Sequence, residues 1–143
     1  METVVVDAPN GLHRSWVRNE LPVNMPDFTN YKTHFYQATG GGKKQKKAWE
    51  DVFKHDGLKI FCFNVESGSN KKGQAELKLC VQTDRVLFVV DESQRIKTPG
   101  AKRTKFIVNL ARHAEFRRIL SGSPITQSPL DLYAQCKIGR AHV

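Results

Sequence analysis

Apolar positions along the chain fall into five short runs, separated by longer stretches that are apolar on one side only. TVVVD (residues 3–7), THFYQ (33–37), LKIFCFNV (58–65), VLFVVD (86–91) and FRRILS (116–121) are rich in β-branched and aromatic residues and read as strands. Within them VVV, IFCF and VLFVV are almost continuously apolar. A strand with one wet face alternates; an unbroken apolar run marks a strand covered on both faces by crossover helices. Residues 12–20, 43–55, 70–82 and 101–113 each show one polar side and the length of a helix, and a short final helix is expected over 130–135. Strand, helix, strand, helix predicts an α/β fold, a mostly parallel sheet flanked by helices. Residues 40–42 (GGG) and 67–73 read as flexible loops, and no internal repeat is visible.

In an open parallel sheet, ligands gather beyond the carboxyl ends of the strands. Three of the predicted strands end there in polar or turn-forming residues: DAPNG (7–11), DESQ (91–94) and SGSP (121–124). Composition narrows the class without naming a function. A length of 143 residues suits one domain, and 39% apolar with 26% charged residues excludes a disordered tail. No apolar run approaches the roughly 20 residues that span a bilayer. No basic start followed by an apolar stretch marks a secretory signal. Cys62, Cys80 and Cys136 are odd in number and widely spaced, which supports neither a disulfide framework nor a zinc site and fits a reducing, cytosolic setting. The 23 Lys+Arg against 14 Asp+Glu, a formal charge of +9, suits a polyanionic partner.

VLFVVDESQRIKTPGAKR carries the most chemistry: a hydrophobic strand delivers adjacent carboxylates, Asp91 and Glu92, into a loop. Nucleotide hydrolysis uses such a pair to hold Mg²⁺, often through water, and to orient or deprotonate the attacking water. Neighbouring side chains on a strand point to opposite faces, so both can reach one ligand only if the chain turns after Asp91. Read alone, the pair is equally two solvated carboxylates at a strand end. The second segment, RRILSGSPITQSPLDLYAQ, ends a strand in small hydroxyl residues and starts a helix near Ser128 and Pro129. Read alone, that is turn chemistry.

Together, DESQ (91–94) and SGSPITQSPLDLY (121–133) resemble motifs II and III of superfamily-two helicases and translocases, on the Swi/Snf-like branch. TVVVDAPNGLHRSWVRNELP resembles motif Ia of that family, and NVESGS falls where the family places motif Ib. The resemblance spans about residues 3–135 and implies part of the first RecA-like lobe of an ATP-dependent motor, a P-loop NTPase fold without its P-loop strand. The compact motif spacing resembles phage and prophage members, which implies the cytoplasm of a bacterial or phage-infected cell.

What the resemblance implies for single residues follows the matched positions. Asp91 would bind Mg²⁺–ATP, and Glu92 would activate the water. Gln94 replaces the usual His, keeping a hydrogen-bonding side chain without an imidazole. Ser121, Gly122 and Ser123 would relay the nucleotide state to a nucleic-acid track; both serines replace the commoner Thr. Pro9, Asn10 and Gly11 would meet a phosphate at the strand-to-helix turn, with Arg14, Arg18, Lys71 and Lys72 as further phosphate contacts. The expected partners are DNA, with RNA not set aside, and a second RecA-like lobe; no membrane is expected. Trp16 is expected to pack the core under its helix.

Absences shape the expectation as well. The sequence holds no GxxxxGK[ST] loop: around residues 40–44 (GGGKK), Gln37 stands where the first Gly is needed and Lys44 replaces Ser/Thr. Lys43, Lys44, Lys46 and Lys47 read instead as a basic helix face. CKIGRAHV is not expected to continue the helix begun by DLYAQ, and KIGRAHV (137–143) resembles a translated sequencing adapter. Residues 1–136 are therefore expected to be a partial ATP-binding lobe with little ATPase of its own. The rival reading is a non-catalytic, basic α/β module that binds nucleic acid.

Overall fold

The computed structural model of the chain describes residues 2–39, 42–83 and 85–139. Part of the expected 40–42 loop and residues 140–143 of the carboxyl-terminal string lie outside the described residues. Five strands form one sheet: β1 (Thr3–Ala8), β2 (Tyr31–Phe35), β3 (Leu58–Asn64), β4 (Val86–Asp91) and β5 (Phe116–Leu120). Their spatial order is β2-β3-β1-β4-β5, and every pairing is parallel. The three continuous apolar runs are the three inner strands, as burial on both faces requires. β5 alternates exposed and half-buried residues and closes one side of the sheet as an edge strand. β2 begins two residues earlier than the sequence predicts, because its register places Tyr31 opposite Leu58 and Phe35 opposite Cys62.

The pleat sends alternate side chains into two cores. Val5, Phe61, Phe63, Phe88 and Val90 face the main core, covered by α3 (Gly42–Phe53), α4 (Lys71–Val81), α5 (Lys102–Ala111) and α6 (Leu132–Gly139). Trp49 and Phe53 of α3 stack at 4.9 Å between ring centroids and lean on Phe61. On the other face Val6, Ala8, Ile60, Cys62 and Val89 meet the helical stretch that follows β1. That stretch is α1 (Leu12–Ser15), a π-helical turn (Trp16–Glu20) and α2 (Leu21–Asn24), so it runs past the expected end at Glu20. Pro22 explains the wide turn: a proline inside a helix lacks its N–H and crowds the carbonyl four residues back. The chain opens there, and Leu21 N–H donates to Trp16 O instead, five residues back.

Two further expectations are corrected. Residues 67–73 are not a loop: a 3-10 turn (Val65–Ser69) runs into α4, with Ser67 and Gly68 buried. Asparagines hold both starts. Asn64 Oδ1 accepts from Ser67 N–H at 3.0 Å, and Asn70 Oδ1 accepts from Gly73 N–H at 2.7 Å, satisfying amides that a helix start leaves free. A Cβ at Gly73 would lie 2.4 Å from Ser67 O, so only glycine lets α4 approach so closely. The second correction is α6, which continues through Lys137 to Gly139 and buries Ile138 completely in the main core.

Candidate functional site

Asp91 ends β4, and the backbone then turns as two convergent carboxylates need: Glu92 adopts the left-handed conformation, φ 50° and ψ 51°. That geometry costs a residue with a Cβ roughly 1–2 kcal/mol. Both Asp91 oxygens are held. Oδ1 accepts from Glu92 N–H at 2.9 Å, and Oδ2 accepts from the Trp16 indole Nε1–H at 3.0 Å. Asp91 and Trp16 also border a 310 Å³ cavity together with Leu12, Ser15 and Glu20. The carboxylate is thus fixed in direction yet open to a ligand.

The neighbouring loop joins this one through side chains. Gln94 Nε2 donates to Glu92 Oε2, and Ser121 Oγ donates to Gln94 Oε1 at 2.6 Å. Ser121 Oγ in turn accepts from the Ser123 amide at 3.2 Å, with exposed Gly122 between them. Gln94 is the residue that links the two loops. Ser123 contributes its backbone to this chain. Beneath it, buried Ser93 donates to Gln135 Oε1 at 2.6 Å, while Gln135 Nε2 donates to Pro124 O and Asp131 O. Asp131 Oδ2 gathers the amides of Thr126, Gln127 and Ser128 and the Thr126 hydroxyl. These donors, led by the Gln127 and Thr126 amides, hold its carboxyl down at about 2.

The turn after β1 forms a second polar group. Gly11, at φ 90°, makes the bend, and Leu12 N–H donates to Pro9 O at 3.0 Å. Gly11 N–H is donated to His13 Nδ1 at 3.2 Å, so Nε2 carries the ring proton and donates to Tyr36 O at 3.0 Å. Burial lowers the His13 pKa and keeps the ring neutral. The phosphate-binding expectation for this turn therefore narrows. Pro9 is buried and has no N–H, and the Gly11 amide is already used. The side chains of Asn10, Arg14 and Arg18 remain exposed. Both guanidinium groups lie over the Phe35 ring, at 5.7 and 5.5 Å from its centroid.

Asn64 Nδ2 reaches Asn10 Oδ1 at 3.4 Å, and Tyr36 Oη donates to Asn70 Oδ1 at 3.1 Å, tying the ends of β1, β2 and β3 together. Lys71 and Lys72 sit in the first turn of α4 rather than in a loop. Lys72 Nζ donates to Gln37 O at 3.1 Å, whereas Lys71 stays exposed. The structure thus gathers the predicted residues along one carboxyl edge in two groups: Asp91, Glu92, Gln94 and Ser121 after β4 and β5, and the Asn10, Arg14, Arg18 and Lys72 set after β1 to β3.

Sequence reasoning missed two residues here. Trp16, expected as core packing, packs on the second core and also bonds Asp91. Asp7 is fully buried near the end of β1, and neither carboxyl oxygen has a hydrogen-bond partner. Burial, with Glu66 adding to it, pushes its carboxyl up to about 8. A strand-end Asp carries no sequence signal of such depth.

The carboxylate of Asp91, a hard oxygen ligand facing an open cavity, has the chemistry Mg²⁺ takes. A phosphate cradle of the GxxxxGK[ST] kind is not part of this sequence.

An all-parallel five-stranded sheet with helices on both faces and its polar residues along the carboxyl edge defines a RecA-like α/β fold. No family model matches the sequence, and no curated protein matches it. Among solved structures the chain is similar to the Sulfolobus solfataricus SWI2/SNF2 ATPase core in complex with dsDNA. The TM-score is 0.61 at 18% identity over 96% of this chain. The chain spans 24% of that protein's length, and at this identity the likeness establishes the fold.

Proposed function

We propose that residues 3–135 form part of the first lobe of a nucleic-acid motor of the Swi/Snf-like branch, driven by ATP and tracking DNA. The observation that carries this reading is the hydrogen-bonded line Ser121–Gln94–Glu92. A basic module that only bound polyanions would have no use for a line joining an acidic pair to a neighbouring loop. Mg²⁺–ATP, when bound, supplies the phosphoanhydride whose cleavage drives movement. Asp91 holds the metal, and Trp16 and the Glu92 amide fix the direction of its carboxylate. Glu92, on the left-handed turn directly after Asp91, would orient and deprotonate water. Gln94 holds the Glu92 carboxylate and passes its position to Ser121.

Asn10, Arg14, Arg18, Lys71 and Lys72 contact backbone phosphates, which gives affinity without base specificity. The segment 1–136 is proposed as the native lobe and 137–143 as foreign to it, although residues 137–139 extend α6 and Ile138 is buried in the main core. Resequencing the source locus through codon 137 tests this, and a gene that encodes KIGRAHV there rejects it.

The decisive experiment uses the parent gene, extended upstream to include a GxxxxGK[ST] loop. Glu92→Gln is expected to abolish DNA-stimulated ATP hydrolysis while the fold and DNA binding persist. Unchanged turnover rejects the motor reading built on Glu92; DNA binding with no ATP hydrolysis by the parent protein favours the non-catalytic binding module. The 143-residue chain alone is expected to bind DNA weakly and to turn over negligible ATP, because it lacks the phosphate cradle. Robust hydrolysis by this chain overturns that expectation.

A further inference from the structure

The side-chain hydrogen bonds along the carboxyl edge form two sets. One ties the ends of β1, β2 and β3 through His13, Tyr36, Asn70, Asn64 and Asn10. The other ties the ends of β4 and β5 through Glu92, Gln94 and Ser121. The helical stretch that carries His13 of the first set also carries Trp16, whose Nε1 bonds Asp91 Oδ2 beside the second set, across 75 positions of sequence.

We propose that Trp16 is a positioning residue for Asp91, and that nucleic acid seated on Arg14 and Arg18 resets the Asp91 carboxylate through it. The inference rests on the motor reading above and adds how its two ends communicate. Three features carry it. The Asp91 carboxylate is pinned at two points, Oδ1 on its own loop and Oδ2 on the helix, so the helix cannot move without turning the carboxylate or breaking the indole bond. An indole N–H only donates and does not titrate, so this bond answers to geometry and not to pH.

Second, Trp16 opens the π-helical turn, and Arg14 and Arg18 stand two residues to either side of it, both over Phe35. A phosphate drawn to that pair of cations pulls on the turn that carries the indole. Wide turns of this kind recur at functional sites because their extra residue can be absorbed or shifted. Third, the half-buried Trp16 ring borders the 310 Å³ cavity shared with Asp91, which leaves the ring room to move.

The test uses the 143-residue chain, ¹⁵N-labelled, at low salt, with a short blunt DNA duplex as the probe. DNA should shift the Trp16 indole resonance together with the Glu92 and Ser93 amides, and leave the Trp49 indole unmoved. In Trp16→Phe, DNA should still bind within about twofold, since phosphate contacts supply the affinity, while the Glu92 and Ser93 shifts disappear. Asp91→Leu removes the bond from its other end and guards against a variant that fails to fold. There the Trp16 indole N–H should exchange faster with water and the DNA response at Ser93 should vanish. Equal shifts at Glu92 and Ser93 in the wild type and both variants overturn the Trp16 route and leave the DNA reading standing. An absence of any DNA response around Arg14 and Arg18 in the wild type overturns both.

Discussion

Asp7→Asn removes a carboxyl whose charged form the fold has nowhere to put. In the native state the carboxyl is fully buried, lacks a hydrogen-bond partner and has its pKa raised from 3.8 to about 8. The folded protein therefore holds a proton that the unfolded chain releases near pH 4. Below 3.8 both states are protonated and the group is neutral to stability. As pH rises from there to about 8 the unfolded state gains its free carboxylate, and the native state loses about 1.4 kcal/mol per pH unit relative to it. At pH 7 the accumulated penalty is about 4 kcal/mol, a large part of the 5–15 kcal/mol typical of a domain.

Asn keeps the shape and the unpaired polar atoms but cannot ionise. Urea unfolding of both proteins between pH 4.5 and 8.5, followed by circular dichroism, measures the difference. Other titrating groups, His13 among them, are common to both proteins and cancel. The stability gap between variant and wild type should widen steadily with pH and level off above about 8. A gap that stays constant across the range would falsify the argument, because Asp7 would then be ionised or partnered in the native state.

The opposite sign is expected at Asp131, whose carboxyl is held at about 2 by loop amides. Its stabilising effect is complete above its ordinary value and is lost as pH falls from about 4 towards 2; Asp131→Asn should flatten that acid limb and speed hydrogen exchange at Thr126 and Gln127. His13 should titrate below the ordinary histidine value, with the proton of the neutral ring on Nε2, which ¹H–¹⁵N imidazole spectra read directly; a ring that titrates at or above that value contradicts its burial between Gly11 and Tyr36. For DNA binding, replacing Arg14, Arg18 or Lys71 by Ala should lower the slope of log affinity against log salt by about 1 each, uniformly across sequences. A slope unchanged in all three variants removes them from the phosphate contacts.

The sheet was legible because its inner strands are long apolar runs, and a parallel neighbourhood is the arrangement that buries such runs on both faces. The acidic pair was legible for a related reason: the apolar run ends at Val90, which leaves Asp91 as the last residue of β4 and Glu92 in the turn beyond it. What escaped was tertiary. Trp16 and Asp91 meet only because β1 and β4 are neighbours, so neither local pattern announces their bond. The π turn escaped because proline usually marks a helix end, whereas here the turn widens and the helix continues. Segment 67–73 reads as loop by composition, yet Asn64 and Asn70 supply side-chain acceptors that make small polar residues suitable for a helix start. The depth of Asp7 escaped because strand periodicity tells which face a residue takes, not how thickly that face is covered.

β5 leaves the outer side of its backbone without a strand partner among the described residues, and it exposes Phe116 and Leu120. An open ladder of this kind recruits other strands, and charged side chains on it are the usual deterrent. Arg117 and Arg118 supply that deterrent through mutual repulsion between molecules, which salt screens. Ionic strength thus acts twice: the salt that would weaken the proposed DNA contacts also lowers the barrier to association through β5. A preparation kept monomeric at low salt should self-associate at high salt, so nucleic-acid binding and colloidal behaviour have to be measured in the same titration.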